Sequence, residues 1–105
     1  METEKRILQG ASYDFEIDAS NLGAFESIGC DIYIDNMIAV RFEWPDTEGF
    51  EKLTQSGDTY LGTISSGITD IMLGMYGIIP YVIVDGNKVK KGFNSEFVEV
   101  IQKPV

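Results

Sequence analysis

The sequence predicts an all-β fold: an immunoglobulin-like antiparallel β-sandwich of about seven strands with little helix, a small β-barrel being the alternative. Three observations point there. Apolar and polar residues alternate with period two over several short runs, which is the pattern of strands with one face buried. Turn-forming residues separate these runs at intervals of roughly 8 to 12 residues, as in sandwiches of this size. No segment shows a sustained helical period, and no internal repeat or low-complexity stretch interrupts the pattern.

Taken in order, residues 1–6 form a charged leader, and Ile7-Leu8 opens a short strand before Gly10. Tyr13-Asp14-Phe15-Glu16-Ile17-Asp18 then alternates without a slip, placing Tyr13, Phe15 and Ile17 toward a core and the acids in solvent. Asn21 to Gly23 supply a loop. Ile28, Cys30, Ile32 and Ile34 recur at spacing two, Asp35-Asn36 reverses the chain, and Met37 to Trp44 returns, with Ile38, Val40, Phe42 and Trp44 inward and Arg41 and Glu43 outward. Pro45 ends the ladder for want of an N–H. Asp46 to Gly57 reads as a polar loop or short irregular strand anchored by Phe50 and Leu53.

Asp58 to Ile64 is rich in β-formers, and Gly67 to Gly74 reads as a linker with one helical turn capped by Thr69 or Asp70. Met75 to Val84 is a long strand in which Pro80 asks for a bulge or an edge. Asp85-Gly86 between β-branched runs is a hairpin signal, because both positions of the matching turn take a positive φ. Lys88 to Lys91 and then Phe93 to Ile101 complete the fold, so residues 7–105 are expected to form a single domain.

Composition narrows the chemistry. The 105 residues contain no histidine and one cysteine. That removes Ser-His-Asp and Cys-His catalysis, histidine-containing metal sites and cysteine-only zinc sites, so neither catalytic residues nor a cofactor or metal is expected. Cys30 reads as a small buried hydrophobe. Carboxylates at strand spacing (Asp31 with Asp35, or Asp14, Glu16 and Asp18) read as a solvated face and not a glycosidase pair. Neither these nor Asp85 and Asn87 follow the ligand order of a calcium loop. Gly57 to Gly62 matches no phosphate-loop spacing, and its glycines read as turn residues.

The net charge is −9, with 13 acids and 4 bases in residues 1–58 against 4 of each in 59–105. Such a field repels phosphate backbones and suits a basic partner or simple solubility. No apolar run is long enough for a membrane span, and no secretory signal is visible, so synthesis in a cytoplasm is expected. Candidate partner-interface residues are Trp44, Phe50 and the basic group Lys88, Lys90 and Lys91, with Met72 and Met75 as further apolar candidates.

The order Gly57-Asp58-Thr59, Ile68-Thr69-Asp70, Gly74-x-Tyr76, Asp85-Gly86 and Gly92 with Phe97-Val98-Glu99-Val100 resembles small immunoglobulin-like domains of tailed bacteriophages. These are the N-terminal domains of baseplate upper and tail-fibre adaptor proteins. The resemblance covers residues 57–101 and, more weakly, Leu8 to Phe15. It implies a non-enzymatic virion component, a head-decoration or head-fibre protein or a tail adaptor, made in the host cytoplasm and docking on capsid or tail proteins as a homo-oligomer. Adaptor domains usually continue into fibre sequence; a chain ending at Val105 suits a small multicopy part. Two other functions fit the same residues. An acidic inhibitor or nucleic-acid mimic would use Asp14, Glu16, Asp18, Asp31 and Asp35, and a carbohydrate-binding module would line up Tyr33, Trp44, Tyr60 and Tyr81 on one face.

Overall fold

Alternation builds the strands, and their pairing divides them between two sheets. The computed structural model describes residues 5–90 and 93–104. In chain order the elements are β1 (Lys5–Leu8), β2 (Tyr13–Asp18), β3 (Ser27–Ile34), β4 (Met37–Trp44), β5 (Glu51–Lys52), β6 (Thr54–Ser56), β7 (Thr59–Ile64), α1 (Ser66–Ile71), β8 (Gly74–Val84), β9 (Asn87–Val89) and β10 (Glu96–Ile101). The large sheet runs β1-β10-β8-β3-β4-β5, with β9 paired to β8, and the small sheet runs β2-β7-β6. A three-stranded sheet packed on one centred on β10, β8, β3 and β4 is the division found in immunoglobulin-like sandwiches. The large sheet is mixed, because β1 runs parallel to β10 and β4 parallel to β5, while the small sheet is antiparallel throughout.

Both sheets contribute to one core. Phe15, Ile17, Tyr60 and Ile64 come from the small sheet, and Ile28, Cys30, Ile32, Phe42, Tyr76, Ile78, Val98 and Val100 from the large one. Phe15 meets Phe42 edge-on with ring centroids 5.0 Å apart, a favoured aromatic geometry. Cys30 is fully buried, and burial pushes its thiol well above the ordinary range. It is a core residue, as the alternation suggests.

Both hairpin signals hold. Asp35 and Asn36 take φ of 51° and 68°, and Asp85 and Gly86 take 51° and 78°, the left-handed pair that lets a two-residue turn follow the strand twist. At the entrance to β8 the Tyr76 hydroxyl donates to the Met72 carbonyl at 2.5 Å. This is the tyrosine that closes the corner between sheets in such sandwiches. Tyr76→Phe is therefore expected to cost about 1 kcal/mol, read as a fall of several degrees in the thermal midpoint with the folded spectrum unchanged.

Among the described residues seven strands have four or more residues, as expected, and β5, β6 and β9 are added two- or three-residue pieces. Four expectations need correction. Lys5 and Arg6 belong to β1 and not to a leader: Lys5 pairs with Glu96 at 2.8 Å and Arg6 with Glu99 at 3.0 Å, which fastens β1 to β10. Residues 1–4 lie outside the described set. Helix α1 starts after Ser65, without a side-chain capping bond. Thr69 instead lies buried within it, bonding the Ala11 carbonyl at 2.7 Å, while the Asp70 carbonyl accepts from the Gln9 amide.

Pro80 is neither at a bulge nor on an edge strand. It sits in the uninterrupted β3–β8 ladder opposite Cys30, while on the other side of β8 the partner β10 stops at Ile78 and β9 begins at Val82. The interval between them has no ladder needing an N–H at residue 80. Gly62 is not a turn residue: it lies in β7 directly opposite Phe15, whose ring would stand 2.4 Å from an added Cβ.

Candidate functional site

The outer face of the large sheet, turned away from the small one, carries the features that chemistry can use. Residues opposite one another in register share a face, so the face can be read row by row. One row crosses four strands as Ile38, Tyr33, Gly77 and Phe97. Below it, toward the β3–β4 turn, lies Met75 beside Glu99, which is opposite Arg6. Above it are Arg41, Asp31 and Ile79, and then Glu43, Gly29 and Tyr81.

The upper half is a closed polar network. Asp31 is only 1% exposed, yet it stands on the outer face, covered by its partners. Its two carboxylate oxygens accept from Arg41 Nε and Lys88 Nζ, each at 3.2 Å. The Lys88 ammonium also lies 4.2 Å above the centre of the Tyr81 ring. The Tyr81 hydroxyl donates to Glu43 Oε2 at 2.6 Å, and Thr47 donates to Glu43 Oε1 at 3.2 Å. Burial, and then the bond to Glu43, push the Tyr81 phenol far above its ordinary value. Arg41 rests over the Phe50 ring, 5.4 Å from its centre. Asp31 is held by two cations and Glu43 by two hydroxyls, so this half of the face is a lid over the sheet.

The lower half is apolar and open. Phe97 is 42% exposed and Met75 38%, with Ile38 at 42% alongside. Tyr33 and Ile79 are half-buried between them. Tyr33, Met75, Ile79 and Phe97, together with Gly77, Asp35, Asn36 and Lys90, line an open groove of about 560 Å³. The apolar surface continues around the end of the sandwich through Ile71, 74% exposed, Leu73, Leu8 and Ile101. Leu8 and Ile101 are directly opposite in register. Clustered exposure of this kind, unlike scattered single residues, marks a contact surface.

The sequence-derived candidates distribute unevenly over this map. Lys90 lines the groove and Met75 forms part of its wall. Lys88 is not among the groove residues and neutralises buried Asp31. Trp44 turns inward against the core and packs on Tyr60, ring centres 5.2 Å apart. Phe50 is half-buried under Arg41. Lys91 lies outside the described residues.

Ile38, expected inward, faces out because the β3–β4 register shifts between Ile32 and Tyr33, and a bulge reverses the phase of everything beyond it. The sequence reading missed Phe97 and Ile79. For Phe97 a signal existed, since it is in phase with Glu99 and out of phase with buried Val98 and Val100.

The rival sites do not assemble. Tyr60 and Tyr81 are buried and Trp44 faces the core, so the four aromatics share no exposed face. Asp14, Glu16 and Asp18 stand exposed on the small sheet, whereas Asp31 is buried on the opposite sheet and Asp35 sits in the β3–β4 turn. Among the described residues no group of three or more metal-ligating side chains converges. A second cluster joins Lys5, Tyr13 and Glu96, in which the Tyr13 hydroxyl donates to Glu96 and Lys5 donates to both. Burial, then the bond to Glu96, raise the Tyr13 phenol. The cluster ties β1, β2 and β10 together.

No family model matches the chain, and no curated protein matches it. Among solved structures it is similar to the endo-beta-1,4-mannanase from Thermotoga petrophila, at 15% identity and a TM-score of 0.59 over 97% of this chain. It spans a small part of that protein, 18% of its length, and the likeness is one of fold. It is also similar to the extracellular domains of the voltage-gated sodium channel beta4 subunit, at 16% identity and a TM-score of 0.47, covering 97% of this chain and 92% of that one.

Proposed function

We propose that this chain is a non-enzymatic structural module of a bacteriophage particle, which docks on capsid or tail proteins through the apolar half of its large sheet. The observation that supports the docking surface is the register-aligned row Ile38, Tyr33, Gly77 and Phe97, whose end members Ile38 and Phe97 are exposed, as is neighbouring Met75, on a sheet whose other half is closed by a polar network. A fold needs no exposed phenylalanine on the outer face of a sheet, whereas a contact surface uses aromatic and methionine side chains in this way. The resemblance of residues 57–101 to adaptor-type domains supports the choice of a virion protein as partner. The composition, with no histidine, leaves no histidine-activated nucleophile for an enzymatic reading.

Co-sedimentation with purified particles of the source phage tests the reading. Wild-type protein is expected to pellet saturably with the particles, and Phe97→Ser to bind at least tenfold more weakly while its melting curve stays close to wild type. Equal binding by both proteins, or no binding by either, would remove this function.

A further inference from the structure

We infer that the same apolar groove seats a second copy of this chain, giving a weak two-fold dimer that is exchanged for the particle protein on docking. The inference rests on the reading of this face as a docking surface and names its first occupant. Its argument is self-complementarity. In a two-fold interface the same patch meets itself, so each knob needs a hollow and each charge an opposite charge on the one surface.

The groove offers apolar contact and opposite charge on one surface. Ile79 stands on β8 two residues along from Gly77, and the Phe97 ring leans over Gly77 with its edge 3.3 Å from the Cβ position there; all three line the groove. A two-fold axis crossing the strands obliquely between Gly77 and Ile79 brings Ile79 of each copy toward the Phe97 ring of the other. The two charged side chains of the groove, Asp35 and Lys90, stand toward opposite ends of it. Asp35 is level with the start of β8, its carboxylate 3.7 Å from the Cβ position of Gly74. Lys90 follows β9, whose last residue pairs with Val82. The two levels are roughly 20 Å apart at the rise of an antiparallel strand. The same axis therefore sets the acid of one copy beside the base of the other.

The distribution of charge favours this face over the remainder of the surface. A chain of net charge −9 repels its own copies, and the small sheet presents Asp14, Glu16 and Asp18 outward. On the large sheet Asp31 is neutralised by Arg41 and Lys88, and Glu99 by Arg6. Two copies can approach there with fewer unpaired acids than on the small sheet, Glu43 being bonded by the Tyr81 and Thr47 hydroxyls. The patch is smaller than the roughly 800 Å² per partner of a standard stable interface, so the dimer is expected to dissociate on the order of 100 μM and to yield readily to a better partner.

Sedimentation equilibrium of the full chain from about 10 to 500 μM reads the inference directly. Wild type is expected to shift from monomer to dimer over this range. Phe97→Ser and Lys90→Glu are each expected to weaken the dimer at least tenfold, and Asp35→Lys in the Lys90→Glu background to restore it. Asp35→Asn, which keeps a residue suited to the turn's positive φ, checks that the effect is one of charge and not of a frayed hairpin. A monomer throughout, or a dimer indifferent to Phe97 and Lys90, overturns the inference. Should wild type remain monomeric while Phe97→Ser still loses the particle, the second copy is excluded and the docking surface stands.

Discussion

Replacing Gly29 by alanine is expected to destabilise the protein by about 3 kcal/mol or more and to lower its thermal midpoint by roughly 10 to 20 °C. The reason is contact and not backbone strain. A Cβ at position 29 would stand 2.3 Å from the Phe42 carbonyl oxygen across the β3–β4 ladder, and 2.8 and 2.9 Å from the Tyr81 hydroxyl and ring carbon. Tyr81 lies opposite Gly29 in register and uses the absent side chain as its seat. Because the shortest contact is to backbone, truncating Tyr81 as well is not expected to rescue the alanine variant.

Gly77 provides the comparison. It too lies opposite an aromatic, Phe97, but an added Cβ would sit 3.3 Å from the edge of a ring that is largely exposed and able to swing away. Gly77→Ala is expected to cost less than about 1 kcal/mol. Thermal melts of the two variants decide the matter, and equal losses would mean that the Tyr81 seat has no special role.

Removing both cations from Asp31 is the second large effect. Arg41→Ala with Lys88→Ala removes both ionic partners of a carboxylate that is 1% exposed beneath them and opens part of its cover to water, and a stranded buried charge costs about 3 to 5 kcal/mol. Both cations are themselves partly in water, 45% and 35% exposed, so the lower end of that range applies. The converse change is mild. Asp31→Leu removes the buried charge and frees two cations that can turn to solvent, and an apolar replacement for a buried ion pair is often close to neutral. A chemical-denaturation series in which Asp31→Leu proves as costly as the double cation variant would show that the network stabilises by attraction, contrary to its reading here as a neutralised lid.

How much of this was legible in the sequence depends on distance along the chain. Tyr13 to Asp18 alternates without a slip and is β2 to the residue, because one wet face and one dry face leave no other phase. The two turns were equally plain, since Asp-Asn and Asp-Gly suit left-handed pairs. Ile38 was misplaced because a single register shift, invisible in a periodic pattern, exchanges the faces beyond it. Asp31 looked like a solvated acid because its cover comes from Lys88, 57 residues away. Pro80 looked like an interruption because nothing local reveals that two different strands share one edge of β8.

The site was half legible. Met75 and Lys90 were among the candidates, and Phe97 had its signal in a phase shared with Glu99. Trp44 misled because a large aromatic near a strand end is read equally well as anchor or as core, and here it packs on Tyr60. Lys88 misled because a cluster of lysines looks uniform in sequence, whereas the fold assigns Lys88 to Asp31 and Lys90 to the groove.

The central claim is that the apolar half of the large sheet, and not the acidic small sheet, is where this protein meets its partner. Amide-resolved hydrogen exchange of the full chain, with and without purified particles of the source phage, tests this most directly. Protection is expected along β3, β8 and β10 around Tyr33, Met75, Gly77 and Phe97, with Asp14 to Asp18 unchanged. Protection confined to Asp14 to Asp18 would contradict the account and move the binding surface to the acidic face.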